Sequence, residues 1–173
     1  MLIVMAGLPG TGKSSVAEAL GRALAAPVVS VDPIEAAMWR AGVGRDQPTG
    51  LAAYVVAEAV ADGVLALGQS AIVDAVNAVE AAREQWRSLG KRRGVPVVFV
   101  EVVCPDQAAH RRRLESRSRG IDGFAEPTWE AVQRLREEFA PWADHRLVLD
   151  TTTDLPSNVA TVLGFLFAAR EGR

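Results

Sequence analysis

Lysine is nearly missing from this sequence: Lys13 and Lys91 are the only two, so basic character rests almost wholly on arginine. Cysteine is scarcer still. Cys104 stands alone at the end of an apolar run, which excludes an internal disulfide, fits a reducing compartment and reads as packing. The two histidines, His110 and His145, lie apart from each other and from further ligand types, so a metal centre built on them is not expected. Net charge is also close to absent, at -2 with 23% charged residues, and no strong field favours nucleic acid or an anionic membrane. The apolar start Met1-Leu2-Ile3-Val4-Met5-Ala6 is too short to span a membrane and lacks a basic leader, which predicts a cytoplasmic protein with no membrane partner.

What the sequence has is apolar content. With 173 residues and 49% hydrophobic composition the chain can bury one sizeable core and is too short to divide it, which predicts a single domain over 1–173. Apolar runs of strand length alternate with longer helical patterns, the signature of βαβ units around a parallel sheet. The runs are Leu2 to Ala6, Val28 to Val31, Ala71 to Val73, Val95 to Val103 and Arg146 to Leu149. Helices are expected at about 13–25, 33–41, 51–67, 79–91, 106–117, 128–139 and 157–170. In the last, Val159, Val162, Leu163, Leu166 and Phe167 share one face and should pack on the sheet. The class is therefore α/β, with helices on both faces of near-continuous Val, Ile and Leu strands. Glu101, inside the most apolar strand, has no evident partner in the sequence.

Directly after the first strand stands Gly7-Leu8-Pro9-Gly10-Thr11-Gly12-Lys13-Ser14, the strand, GxxxxGK[ST], helix order of a phosphate-binding loop. Its glycines let backbone N–H groups converge on phosphate oxygens, and the following helix turns its positive end to the same anion. Gly7 through Ser15 are thus the expected nucleotide-binding stretch. Lys13 supplies a point charge for the outer phosphates, and the Ser14 hydroxyl suits magnesium. A guanine-specific switch would need an Asn/Thr-Lys-x-Asp stretch late in the chain, and no lysine follows Lys91.

In open parallel sheets the ligands sit beyond the carboxyl ends of the strands, where Asp32 and Asp74 fall. Asp74 closes an apolar strand and is the expected second magnesium residue, the alternative being a turn cap with Asn77. Asp32 is placed to accept a proton from an acceptor hydroxyl, although Asp32-Pro33-Ile34-Glu35 also reads as a helix cap. Arg113 and Arg117 are four apart on a predicted helix, and guanidinium can fork onto phosphate or stack on a base. Residues 118–127, with Gly120 and Gly123, read as a short lid, for which Arg119 is a second candidate arginine. Trp39 should border the acceptor.

With those residues in place the chain resembles the P-loop small-molecule kinases related to chloramphenicol phosphotransferase, polynucleotide 5'-hydroxyl kinase, gluconate kinase and the zeta toxins. The resemblance runs through GLPGTGKSS, the strand ending in Asp32, Asp74-Ala75-Val76-Asn77 with Arg83 and Trp86, Arg113-Leu114-Glu115-Ser116-Arg117, and Leu149-Asp150-Thr151-Thr152. It implies a five-stranded parallel sheet in the order 2-3-1-4-5, ATP with Mg2+, Asp32 as proton acceptor, Arg113 near adenine and Arg117 as lid arginine. Polynucleotide kinases are expected to carry an arginine three residues after the acid; Glu35 stands there instead and would repel a polyanion. A small neutral or cationic hydroxyl acceptor is therefore expected for a monomer or homodimer. The alternatives are a polynucleotide or nucleotide kinase holding phosphate with Arg40, Arg45 and Arg83, and a non-catalytic ATP-binding regulatory protein.

Overall fold

The computed structural model describes residues 1–117 and 120–171. Elements run β1 (Leu2–Ala6), α1 (Lys13–Leu24), β2 (Val28–Ser30), α2 (Val31–Arg40), α3 (Thr49–Ala66), β3 (Ala71–Asp74) and α4 (Glu80–Arg93), then β4 (Val97–Val103), α5 (Gln107–Ser116), α6 (Trp129–Glu137), β5 (Arg146–Asp150) and α7 (Leu155–Glu171). Every strand pairing is parallel and the order is β2-β3-β1-β4-β5. The expected α/β class and strand order hold. β1 is buried at all five positions, as a central strand covered on both faces must be. Alternate residues feed two cores: Leu2 and Val4 meet Ala57 of α3 and Trp86 of α4, while Ile3 and Met5 meet Leu20 of α1 and Val162 of α7. Of the predicted α7 face, Val162 and Leu166 are buried, but Phe167 is 55% exposed beyond the reach of the sheet.

Two boundaries move in ways that bear on the site. β2 stops at Ser30 and α2 begins at Val31, so Asp32 sits in the first turn of α2 and Ser30 takes the cap position. Burial of Val31 in the core fixes this phase, and Pro33 is tolerated because a first-turn N–H has no intrahelical acceptor. The expected Asp32 cap is thus corrected. α5 ends at Ser116, leaving Arg117 extended (φ -76, ψ 144) rather than four along the same helix from Arg113. Glu101 finds its partner in Arg146 on the neighbouring strand, whose guanidinium also lies 4.9 Å from the Trp142 ring.

Arg83 is not a phosphate holder. It is fully buried, with Nε donating to Asn77 O (3.0 Å), Nη1 to Pro141 O (2.8 Å), and Nη2 to Ala78 O (2.7 Å) and Ala140 O (2.8 Å). Its plane lies 4.0 Å from the Trp142 ring. One side chain thereby closes the β3–α4 turn against the segment after α6. Arg83→Met is expected to destabilise the fold by about 3 kcal/mol or more, since a fully buried guanidinium and its four hydrogen bonds to backbone carbonyls are lost at once. A denaturant midpoint equal to that of the parent protein would show that water replaces the guanidinium at no cost.

Candidate functional site

The loop between β1 and α1 is shaped by glycine where nothing else fits. Gly7 has φ +141, and a Cβ there would stand 2.3 Å from Val102 O, so the loop leaves β1 pressed against the end of β4. Gly10 has φ +85 and lies flat on α5, where a Cβ would come within 3.1–3.2 Å of Leu114 and His110. The apex is held from below by His110, whose Nε2 donates to Pro9 O at 2.8 Å while Nδ1 accepts from Arg136 Nη2 at 3.2 Å. Arg136 can only donate, which fixes this tautomer. Burial lowers the His110 pKa and keeps the ring neutral. From the side, Thr151 Oγ1 donates to Thr11 O at 2.6 Å.

A cleft of about 440 Å3 opens over this loop, lined by Leu8 through Gly10, Gly12 through Ser15, Arg113, Arg117 and Thr151, together with Asp32 and Val76. Its size is that of a nucleotide-scale pocket, and the glycine loop with a buried lysine at its base fits a polyphosphate. Lys13 is 8% exposed and opens α1; its Nζ donates to Asp74, which is 6% exposed. Asp74 also accepts from Ser30 Oγ at 3.2 Å, and the Ser14 hydroxyl helps hold it. Burial alone would raise the Asp74 pKa, but the Lys13 ammonium and these donors bring it below the usual carboxylate value. An ionised carboxylate beside a serine hydroxyl at the phosphate end is an oxygen donor set of the kind a hard divalent cation takes. Asp74 does not cap a turn with Asn77, which instead donates Nδ2 to Met5 O (2.8 Å) and accepts from Trp86 Nε1 (2.8 Å).

Arg113 lines the cleft but spends its fork on the loop after β5, with Nη1 to Thr151 Oγ1 at 3.1 Å and Nη2 to Thr151 O at 2.8 Å. Arg117 lines it too and pairs with Glu126 at 2.7 Å. Of the expected lid, Ser118 and Arg119 lie outside the described residues. The stretch from Gly120 to Pro127 crosses to α2, where Phe124 stacks on Trp39 at 5.5 Å between ring centroids and the Arg45 guanidinium lies 4.0 Å from the Trp39 ring. Arg40 donates to Asp122 O at 3.2 Å and Arg45 to Gly123 O, so both arginines hold the backbone of the 120–127 segment.

On the elements beside Asp32 stand further acidic and phenolic groups. Glu35 Oε1 accepts from Thr49 Oγ1 at 2.7 Å, and Thr49 Oγ1 accepts from Trp39 Nε1 at 3.0 Å. Tyr54 OH accepts from Asn77 N at 3.1 Å, and its pKa is pushed up to about 12 by burial, with Asp32 and Asp74 acting in the same direction. Tyr54 and Thr49 are absent from the sequence reading, since neither sits in a recognisable spacing; His110 was weighed there only as a metal ligand and Thr151 only as part of the Leu149–Thr152 stretch. The one signal on offer was that Tyr54 is the sole tyrosine and interrupts an apolar helix.

Residues 2–142 match the family described as AAA domain. Among characterised proteins, shikimate kinase of Corynebacterium glutamicum is 33% identical over 134 residues, spanning 73% of this chain and 72% of that protein. Among solved structures, a candidate kinase from Chloroflexus aurantiacus aligns with TM-score 0.76 at 23% identity over 96% of both chains. Kti12 of Chaetomium thermophilum, solved in complex with ADP-AlF3, aligns with TM-score 0.75 at 20% identity over 98% of both chains. At those identities the two structures bear on the fold.

Proposed function

We propose, for a chain that belongs to the AAA domain family and to its P-loop small-molecule kinases, that it transfers the terminal phosphate of ATP to a hydroxyl of a small neutral or cationic molecule. The observation that carries this is the cleft whose lining brings Lys13 and Ser14 together with Asp32. The loop amides and Lys13 hold the outer phosphates. Ser14 and Asp74 are the residues that would hold Mg2+, which supplies neutralisation of charge between the last two phosphates. Asp32 accepts the proton of the acceptor hydroxyl as its oxygen bonds to the terminal phosphorus and the bond from that phosphorus to the leaving ADP oxygen breaks. Arg113 sets the loop bearing Thr151 at the base side of the nucleotide. Arg117 approaches the transferring group from the lid, and residues 118–127 close the site over one catalytic unit.

The charge of the acceptor follows from the charged groups carried by α2 and its neighbours. Glu35 is fixed by Thr49, Arg40 and Arg45 are spent on lid carbonyls, and Arg83 is enclosed in the fold. The polynucleotide alternative therefore loses the three arginines on which it rested. The test is ATP consumption, with and without a panel of neutral polyols, amino alcohols, hydroxy acids, nucleosides and 5'-hydroxyl oligonucleotides. Stimulation by neutral or cationic alcohols is the expected result; stimulation confined to oligonucleotides would overturn the acceptor assignment. Binding of ATP without consumption under any acceptor would point to a regulatory nucleotide-binding protein instead.

Arg117→Lys keeps the charge and loses the planar fork. Turnover is expected to fall about a hundredfold, with little change in ATP affinity, because the geometry matters most as charge develops on the transferring group. An unchanged turnover number would move the lid role to Arg119.

A further inference from the structure

The outer face of α3 has no charged residue at its centre, and none of the described residues covers it. Leu51, Val55, Val56, Val60 and Leu67 are 67%, 56%, 40%, 46% and 77% exposed, although the opposite side of the same helix buries Ala53, Ala57, Ala61 and Leu65 in the core. Down the middle of the outward arc run Ala52, Ala59, Gly63 and Ala66, with valines on both shoulders. A Cβ added at Gly63 would meet no atom within 4 Å, so this strip lies open. The two acids of the helix stand at its edge and are already matched, Glu58 by Arg92 and Asp62 by Arg93.

We propose that α3 is a homodimer interface, with a second copy of this chain crossing antiparallel on the same helix. A strip of small residues between valine shoulders is complementary to itself under a two-fold rotation, the small centre of each helix receiving a shoulder of the other. From their exposures the five large side chains leave roughly 500 Å2 of apolar surface open on each copy, toward the upper end of the largest patch a monomer carries. Two copies would cover about 1,000 Å2, the lower bound for a biological interface and the size of a weak, reversible dimer. Matched ion pairs along the rim leave neither copy with an unpaired charge to bury or repel. A lipid surface fits less well. The helix is long and apolar enough to cross a membrane by composition, with hydropathy 1.4, but its inner side is committed to the core. Its polar edge carries acids on the helix itself rather than the basic residues that favour an interfacial helix.

The test uses the full chain in analytical ultracentrifugation. The parent is expected to sediment as a dimer at micromolar concentration and Ala59→Glu as a monomer with an unchanged circular dichroism spectrum. Ala59 lies near the expected two-fold axis, so Ala59→Cys should form an interchain disulfide on mild oxidation, whereas Gln69→Cys, exposed beyond the helix, should not. A parent monomeric well above micromolar concentration overturns the proposal, as does a dimer that survives Ala59→Glu. Flotation of a monomeric parent with phosphatidylcholine vesicles would assign the face to lipid instead.

Discussion

Lys13→Ala is expected to lower phosphate transfer by about a thousandfold or more and to weaken ATP binding, because the charge that meets the outer phosphates is lost where backbone amides alone cannot replace it. A lysine on an exposed loop would leave stability untouched, but this one is 8% exposed and donates to Asp74. Its removal leaves a carboxylate 6% exposed with only Ser14 and Ser30 as partners. The sign can be worked out. With Lys13 present, Asp74 titrates below its ordinary value, so the pair adds stability above the unfolded-state pKa that is lost as pH falls through the folded one. Without Lys13, burial is left to push the Asp74 pKa up, and the variant should be less stable at neutral pH than in mild acid. Lys13→Ala combined with Asp74→Asn should recover the neutral-pH denaturation midpoint while remaining inactive. Full activity in either variant would remove the loop lysine from the mechanism.

Asp32→Asn is expected to lower turnover by about a hundredfold to ten-thousandfold, the range typical of a lost general base. The position of Asp32 in the first turn of α2, and not at its cap, sharpens the expectation for stability. There the carboxylate interacts favourably with the helix dipole, worth up to about 1 kcal/mol, and the cap position itself belongs to Ser30. ATP affinity should hardly move, since the loop and Lys13 carry it. Measured with the acceptor found in the panel, unchanged turnover would sink the assignment of Asp32; lost turnover with a folded, ATP-binding protein would support it.

The fold was largely readable because its signals are local and repeated: five apolar runs, helical periods between them, and a glycine loop whose spacing has one geometric meaning. The glycine loop of the candidate site was readable for the same reason, since Gly7 through Ser15 are contiguous and the structure places them from the end of β1 into the first turn of α1. What stayed hidden depends on contacts between residues far apart in sequence. Arg83 looks like any other arginine on a helix until residues 140 and 141 bring their carbonyls to it. Glu101 looks misplaced until β5 supplies Arg146. The start of α2 was misjudged because Asp32-Pro33-Ile34-Glu35 is a good capping sequence, and the burial of Val31 overrode it. Thr49 gave no hint that it would hold Glu35, 14 residues away, because hydroxyls serve so many local purposes.

α2 also acts as a ruler. Asp32, Glu35 and Trp39 fall on one side of a ten-residue helix whose far end is pinned to the segment at 122–124. At about 1.5 Å of rise per residue, the seven steps from Asp32 to Trp39 span about 10 Å. For an acceptor seated with its hydroxyl at Asp32, that rise and the Trp39–Phe124 stack set a maximum length. A sugar or amino alcohol of one ring lies within it, and a longer chain would have to part the two aromatic rings to enter.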